Sequence, residues 1–158
     1  QAVTSRGGMV NKFTGDGMLA VFGAPVSNGA DLDAANAVAA ALAIQQQIAD
    51  LNRSLSEEGQ PAMRIRIGIH SGIVLTGSLG SSERLEYAVI GDTVNCASRL
   101  ESLHKERHEG AVRVLLSSET QNLLTGLPPQ VHSEFWGAIS VKGRQEQLEV
   151  IELKSTPQ

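Results

Sequence analysis

The sequence has few aromatic residues, a single cysteine and no long apolar run, and each scarcity narrows the kind of protein it encodes. Aromatic residues make up 3% of the 158 residues, so the core must be built from Val, Ile, Leu and Ala. The single cysteine, Cys96, excludes an internal disulfide and a cysteine metal cluster. No apolar run approaches the roughly 18 residues that suggest a membrane span, and no basic-plus-apolar leader is visible.

The charge is mildly acidic, with a net value of −4, and 41% of the residues are hydrophobic. Nucleic-acid binders usually carry a basic patch, so the balance argues against a nucleic-acid partner. A chain of this length and hydrophobic content can bury the core of one domain. We therefore expect one soluble domain without membrane contact of its own, in the cytoplasm or as the cytoplasmic part of a larger protein.

The segment Met9–Gly23 predicts a β-hairpin, because two strand-like runs flank the turn signal Gly15-Asp16-Gly17. Asp16 then lies at the tip of the hairpin and Lys12 on its first strand. Both residues have an ordinary structural explanation as well. Aspartate is a common turn residue, and a lysine on an edge strand can block aggregation.

The middle of the chain predicts a long helix followed by strands. Apolar residues recur every three or four positions over Asp31–Leu51, as in an amphipathic helix. Arg64–His70 alternates strictly, as a half-buried strand does. We expect Ser71-Gly72 to turn this strand into a second one over Ile73–Leu79, with Ser81–Leu85 as a polar excursion.

The segment Glu86–Ser102 predicts a short strand, a tight turn and a helix whose start is capped by Asp92 or Thr93. Asn95 and Arg99 are four residues apart, so they share one helix face. A planar amide and a forked cation on one face suit a phosphate or a developing anion. A solvated polar face with no binding role is the simpler alternative.

The remainder predicts a strand at Val112–Leu116, a helix starting at Ser117, and strands over Val131–Val141 and Leu148–Leu153. This order of elements indicates an α+β or α/β domain with one mixed sheet.

Four motifs, in this order and spacing, resemble the class III nucleotidyl cyclases, the catalytic domains of adenylate and guanylate cyclases. They are GGMVNKFTGDGMLAVFG, RIGIHSGIVLTGSLG, YAVIGDTVNCASRLE and SVKGRQEQLEVIEL. The resemblance implies an α+β fold, a ferredoxin-like βαβ-βαβ sandwich with a mixed, mainly antiparallel sheet and helices packed on it. It also implies that residues 1–158 form one catalytic domain lacking its first strand, and that two copies pair head to tail and share their active sites.

The resemblance implies a role for individual residues. Asp16 corresponds to one of two metal-binding aspartates, and Lys12 to the lysine that recognises adenine. Asn95 and Arg99 correspond to the catalytic pair that orients the ribose and stabilises the transition state. The substrate-binding set further contains Lys142 on the triphosphate, Arg113 where the partner's phosphate-binding arginine would fall, Asp92 at the helix start, Ala88 at a base-selecting position, and Gly15 and Gly17 at the hairpin tip.

The implied reaction is attack of the ribose 3′-hydroxyl of ATP on the α-phosphorus, giving cyclic AMP and pyrophosphate with the help of two Mg²⁺ or Mn²⁺ ions. Two features depart from the family pattern. The other metal aspartate belongs to an upstream strand that this sequence does not contain, and Ala88 replaces a residue that could hydrogen-bond the base. Two further hypotheses therefore stand beside an adenylate cyclase homodimer: a guanylate or relaxed-specificity cyclase, and a non-catalytic nucleotide-binding or dimerisation module. Sensor or regulatory domains are expected on the same full-length chain.

Overall fold

The computed structural model describes residues 1–156, and for residues 84–86 it describes the backbone alone. A short 3-10 turn, Thr4–Arg6, precedes three α-helices and eight strands. They are β1 (Met9–Thr14), β2 (Gly17–Val21), α1 (Ala30–Glu57), β3 (Ile65–Ile69), β4 (Leu75–Ser81), β5 (Arg84–Ile90), α2 (Asp92–Ser102), β6 (Val112–Ser117), α3 (Ser118–Leu123), β7 (Val131–Ile139) and β8 (Leu148–Ser155).

The central sheet has four strands in the order β3-β6-β8-β7. Strands β3 and β6 run parallel, whereas β8 is antiparallel to both of its neighbours. A parallel pair needs a long crossover, and here the connection from β3 to β6 contains β4, β5 and α2. The sheet is therefore mixed, and the predicted α+β fold is confirmed.

Each face of the central sheet is covered by one helix. Successive side chains of a strand point to opposite faces, and on β6 Val114 and Leu116 belong to the cluster with α1, whereas Leu115 belongs to the cluster with α2. These three side chains are fully buried, and burial of such a side chain contributes about 1.5–3 kcal/mol. Helix α2, which carries three of the predicted site residues, is thus attached to the best-buried strand.

The predicted hairpin between Arg64–His70 and Ile73–Leu79 is wrong. Strand β3 pairs with β6, more than 40 residues further along the chain, and β4 pairs with β5 in a separate two-stranded hairpin. The predicted polar excursion at Ser81–Leu85 contains the tight turn of that hairpin, because Ser81 lies opposite Arg84. Alternating apolar and polar residues identify a half-buried strand, but they do not identify the strand that it pairs with. Here β3 pairs with the buried strand β6.

Helix α1 is longer than predicted, since it runs on from Leu51 through a polar stretch to Glu57. The added turn contains no Gly or Pro, and the chain leaves the helix just before Gly59, whose φ is +70°. Within residues 1–156, no helix is long and apolar enough to cross a membrane.

Candidate active site

Helix α2 begins one residue earlier than a cap at Asp92 or Thr93 would require. Gly91 is the N-cap residue, and in the described structure no side chain caps this end. The Thr93 hydroxyl instead donates to the carbonyl oxygen of Ile73 at 2.7 Å. The predicted capping role is therefore wrong, and Thr93 ties the helix to the segment that leads into β4.

A glycine on β3 lets α2 lie close to the sheet. A Cβ atom at Gly68 would fall 2.3 Å from the carbonyl oxygen of Ala97, which is far inside van der Waals contact. The inward face of α2 presents Cys96 and Leu100, both fully buried. Because side chains four residues apart share a helix face, burying this face turns Asn95 and Arg99 outward, and both are exposed.

The exposed face of α2 forms one wall of an open groove with a volume of about 370 Å³. The residues that line it are Asn95, Ser98, Arg99, Ser102, Val141 and Lys142. The structure thus brings together three residues that were predicted separately from two distant motifs. Two cations, one amide and two hydroxyls meet in the groove, and none of its lining residues is a carboxylate. This set of donors suits a phosphorylated ligand.

The predicted β1–β2 hairpin is confirmed, with Thr14 opposite Gly17 and Asp16 at the tip. Gly15 has φ +58°, a left-handed conformation that glycine adopts readily. Lys12 and Asp16 are exposed, and neither lines the groove beside α2. Within one chain, Lys12 and Asp16 therefore do not form part of the groove wall.

Asn11 connects this hairpin to the strand that carries Ala88. Val10 pairs with Ala20 and Lys12 with Leu19, so Asn11 is the extra residue of a β-bulge. Its side-chain amide donates to the carbonyl oxygen of Tyr87 at 2.8 Å. This hydrogen bond holds the backbone beside Lys12 close to the backbone beside Ala88. The sequence patterns did not predict it.

Arg113 is fully buried, which does not fit its predicted contact with a substrate phosphate. Its guanidinium donates to the carbonyl oxygens of His104, Arg107 and Glu101 at 2.8, 2.9 and 3.0 Å. These carbonyls belong to the end of α2 and the loop after it, where a cation complements the helix dipole. In this structure Arg113 therefore closes the end of α2.

Asp92 is exposed in the first turn of α2, and its carboxylate lies 3.9 Å from the Cys96 thiol. It does not line the groove. Over the described residues, no group of three or more His, Cys, Asp or Glu side chains could hold a metal ion. Asp16 is a single exposed carboxylate, so the described part of one chain does not form a complete magnesium site.

A partly buried polar network around His70 was not predicted. His70 Nδ1 lies 2.7 Å from Ser117 Oγ, and Ser71 Oγ lies 2.9 Å from Thr120 Oγ1. Beside them, Arg144 forms an ion pair with Glu119. Burial lowers the pKa of His70 below its ordinary value. Only the position of Arg144, two residues after Lys142, could have pointed to this network.

Comparison with known proteins places the chain in a family. The family model described as the adenylate and guanylate cyclase catalytic domain matches residues 6–153. Adenylate cyclase 1 of Rhizobium meliloti is 33% identical over 153 residues, an alignment that covers 97% of this chain and 22% of the relative. The chain thus spans about a fifth of that relative's length.

Two solved structures resemble the chain closely. The adenylyl cyclase CyaB of P. aeruginosa has a TM-score of 0.80 at 30% identity, covering 99% of this chain and 76% of that one. The guanylyl cyclase Cya2 has a TM-score of 0.77 at 30% identity, covering 99% and 74%. The α+β fold is that of cyclase catalytic domains. The chain belongs to the family of adenylate and guanylate cyclase catalytic domains.

Proposed function

We propose that this chain is the catalytic domain of an adenylate cyclase, which converts ATP to 3′,5′-cyclic AMP and pyrophosphate. The observation that carries the proposal is the meeting of Asn95, Arg99 and Lys142 in one groove, in a chain of the cyclase family. A solvated polar face of α2 would not by itself bring the lysine of a distant turn beside the helix. Because its substrate is ATP, the domain would work in the cytoplasm.

Each of the charged or amide residues in the groove would have its own role in the reaction. The 3′-oxygen of the ribose forms a bond to the α-phosphorus, the bond from that phosphorus to the pyrophosphate oxygen breaks, and the hydroxyl proton passes to water. Asn95 would orient the ribose, and Arg99 would neutralise the charge that builds on the α-phosphate. Lys142 would hold the triphosphate as a point charge.

Divalent metal ions belong to the chemistry of this family, and we propose two Mg²⁺ or Mn²⁺ ions for this site. Bound there, they would lower the pKa of the attacking hydroxyl and hold the phosphates. Asp16 would be one of their ligands, since magnesium prefers carboxylate oxygens. The second aspartate of the family pattern would belong to another segment of the full-length polypeptide.

We propose that the site is shared by two copies of the chain paired head to tail. Asp16 does not line the groove of its own chain, so a second copy is the simplest source of a carboxylate for that groove. Large apolar side chains are exposed around the two hairpins, including Phe13 at 77% and Ile73 at 89% exposure. Exposed apolar patches of this kind are typical of interaction surfaces. A shared site would place Asp16 of one copy opposite Arg99 of the other.

The residue at the base-selecting position favours a second candidate function, a guanylate or relaxed-specificity cyclase. Ala88 offers only a methyl group, which cannot hydrogen-bond a base edge, and one similar structure is a guanylyl cyclase. Lys12 favours adenine, because guanylate cyclases tend to carry glutamate at that position. Turnover of ATP and GTP measured side by side decides between the two, and we expect ATP to be the better substrate.

The test is an assay of the complete polypeptide encoded by the gene, because the chain covers only part of its relatives and regulatory domains are proposed beyond it. With Mg²⁺ or Mn²⁺ the protein should form cyclic AMP, and Arg99→Ala should lower kcat by roughly 100- to 1,000-fold. Arg53→Ala is the matched control, because Arg53 is an exposed arginine on α1. An Arg99→Ala protein as fast as wild type would refute the role of Arg99. A wild-type protein that binds ATP without turnover would support the non-catalytic module.

A further inference from the structure

The turn that carries Lys142 is closed by its own backbone and by a buried neighbour. The amide of Arg144 donates to the carbonyl oxygen of Val141 at 3.1 Å, which closes a four-residue turn. Gly143 has φ +86°, as the third residue of a type II turn requires. Val141 is buried in the cluster below α2. Lys142 therefore stands at the apex, between an apolar anchor on one side and Arg144 on the other.

Arg144 supplies the second anchor, and its side chain is only 14% exposed. One guanidinium nitrogen lies 2.5 Å from Glu119 Oε1 at the start of α3. Another donates to the Cys96 sulfur at 3.7 Å, and that sulfur is in turn 3.9 Å from the Asp92 carboxylate. One side chain thus joins the Lys142 turn, α3 and α2.

The position of Cys96 makes this link relevant to the groove. Cys96 directly follows Asn95 on α2 and is fully buried, so it cannot shift without moving the helix. Fixing the turn to Cys96 therefore fixes the spacing between Lys142 on the turn and Asn95 and Arg99 on the helix. These three residues are the ones proposed to contact the substrate.

Both partners of the ion pair are charged at neutral pH. Burial acts most strongly on the pKa of Glu119 and would raise it, but the hydrogen bond from Arg144 helps to bring it below its ordinary value. The hydrogen bond to Glu119 raises the pKa of Arg144. Glu119 Oε2 is also buried, without a hydrogen-bond partner among the residues that the structure describes. Arg144 is therefore the cation on which this carboxylate depends.

We propose that Arg144 is a positioning residue, which holds Lys142 at a fixed distance from Asn95 and Arg99 so that the three can grip one triphosphate. The inference rests on the proposed function. Arg144 itself need not touch the substrate, because two of its guanidinium nitrogens already contact Glu119 and Cys96. Sequence alone would count it as a second basic residue of the turn.

A double-mutant cycle in the complete polypeptide tests this role. If Arg144 acts through Lys142, Arg144→Gln should raise the KM for ATP by roughly 10- to 100-fold, since small misplacements can cost about a hundredfold. The same change made on Lys142→Gln protein should then add little. Arg144→Lys keeps one charge near Glu119 and should be intermediate. An effect of the same factor in both backgrounds would overturn the proposal.

Folding is separated from positioning by a second variant. Arg144→Gln leaves the Glu119 carboxylate half buried without its cation, which destabilises the fold. Adding Glu119→Gln removes that charge, so the double variant should recover thermal stability while the raised KM remains. A double variant with both wild-type stability and wild-type KM would show that Arg144 only stabilises the fold.

A binding readout keeps this inference distinct from the proposed function. Inorganic triphosphate, titrated by calorimetry, probes the groove without any turnover. Arg144→Gln/Glu119→Gln should bind it at least tenfold more weakly than wild type, whether or not cyclic AMP forms. Equal binding by the two proteins would overturn the positioning role. Weaker binding in a protein that makes no cyclic nucleotide would reject the proposed function alone.

Discussion

Helix α2 and the β1–β2 hairpin carry the two halves of the proposed site, and they are held in opposite ways. The helix rests on a buried strand through Cys96 and Leu100, both without exposed surface. The hairpin presents Lys12, Phe13 and Asp16 to the outside. A site that needs fixed geometry can be built on the helix alone, whereas the hairpin needs a partner surface. The difference supports an active site completed by a second copy of the chain.

The largest contrast in stability should come from truncating one apolar residue in each region. Leu100→Ala empties a fully buried position below α2 and should lower the free energy of unfolding by about 2–5 kcal/mol. Phe13→Ala removes an exposed ring and should change the free energy of unfolding of a single copy by less than about 0.5 kcal/mol. Urea unfolding at low protein concentration measures both, and sedimentation should show weaker dimerisation for Phe13→Ala. Equal destabilisation by the two substitutions would contradict the proposed difference in packing between α2 and the β1–β2 hairpin.

The close approach of α2 to the sheet should be the next most sensitive feature. Gly68→Ala places a methyl group against the backbone of α2, and forced overpacking costs about 1–3 kcal/mol. Because the helix must move, kcat should fall together with stability. Gly126→Ala is the matched control, since a Cβ there meets nothing within 4 Å. A Gly68→Ala protein with unchanged melting temperature and kcat would contradict the account of how α2 is seated.

The link between the two hairpins should have a smaller effect on stability and a visible effect on selectivity. Asn11→Ala removes the hydrogen bond to Tyr87, for which a net loss of about 0.5–1.5 kcal/mol is typical. Because the bond fixes the backbone of Lys12 beside Ala88, we expect the ratio of kcat/KM for ATP over GTP to fall. Asn28→Ala serves as a control at an exposed asparagine outside the site. An unchanged ratio of kcat/KM for ATP over GTP would show that Asn11 has no role in base recognition.

The smallest effect concerns acidification. Burial, opposed by Glu119 and Asp92 and assisted by Arg144, lowers the pKa of His70 in the folded protein. The unfolded chain then binds a proton first as the pH falls through about 6.5, so stability is lost with falling pH. His70→Asn retains a nitrogen near Ser117 and cannot titrate, so its stability should vary less between about pH 7 and pH 5. An identical pH dependence in the two proteins would contradict this assignment.

The sequence predicted those features that depend on local chemistry. The turn at Asp16 follows from its flanking glycines, and the shared face of Asn95 and Arg99 follows from the helical repeat. The pairing of β3 could not be predicted, because alternation does not name a partner and the partner is remote in the chain. The burial of Arg113 could not be predicted for a related reason. A long cation can point to solvent or cap a helix, and only tertiary packing decides between the two.

The contacts of Asn11 and Arg144 were equally hidden, because each joins segments that are far apart in the sequence. Asn11 reaches a carbonyl 76 residues away, and Arg144 reaches a sulfur 48 residues away. Motifs marked the residues proposed to touch the substrate. The residues that hold those in place became visible only once the chain was folded.

Subunit complementation tests most directly whether the hairpin of one copy and the groove of another make one site. Asp16→Ala and Arg99→Ala proteins should each be nearly inactive alone. Mixed in equal amounts and allowed to exchange subunits, half of the dimers would be mixed, and each mixed dimer would hold one intact site and one doubly damaged site. The account therefore predicts recovery of about a quarter of the wild-type rate of cyclic AMP formation. No recovery, with subunit exchange verified, would contradict a site shared between copies.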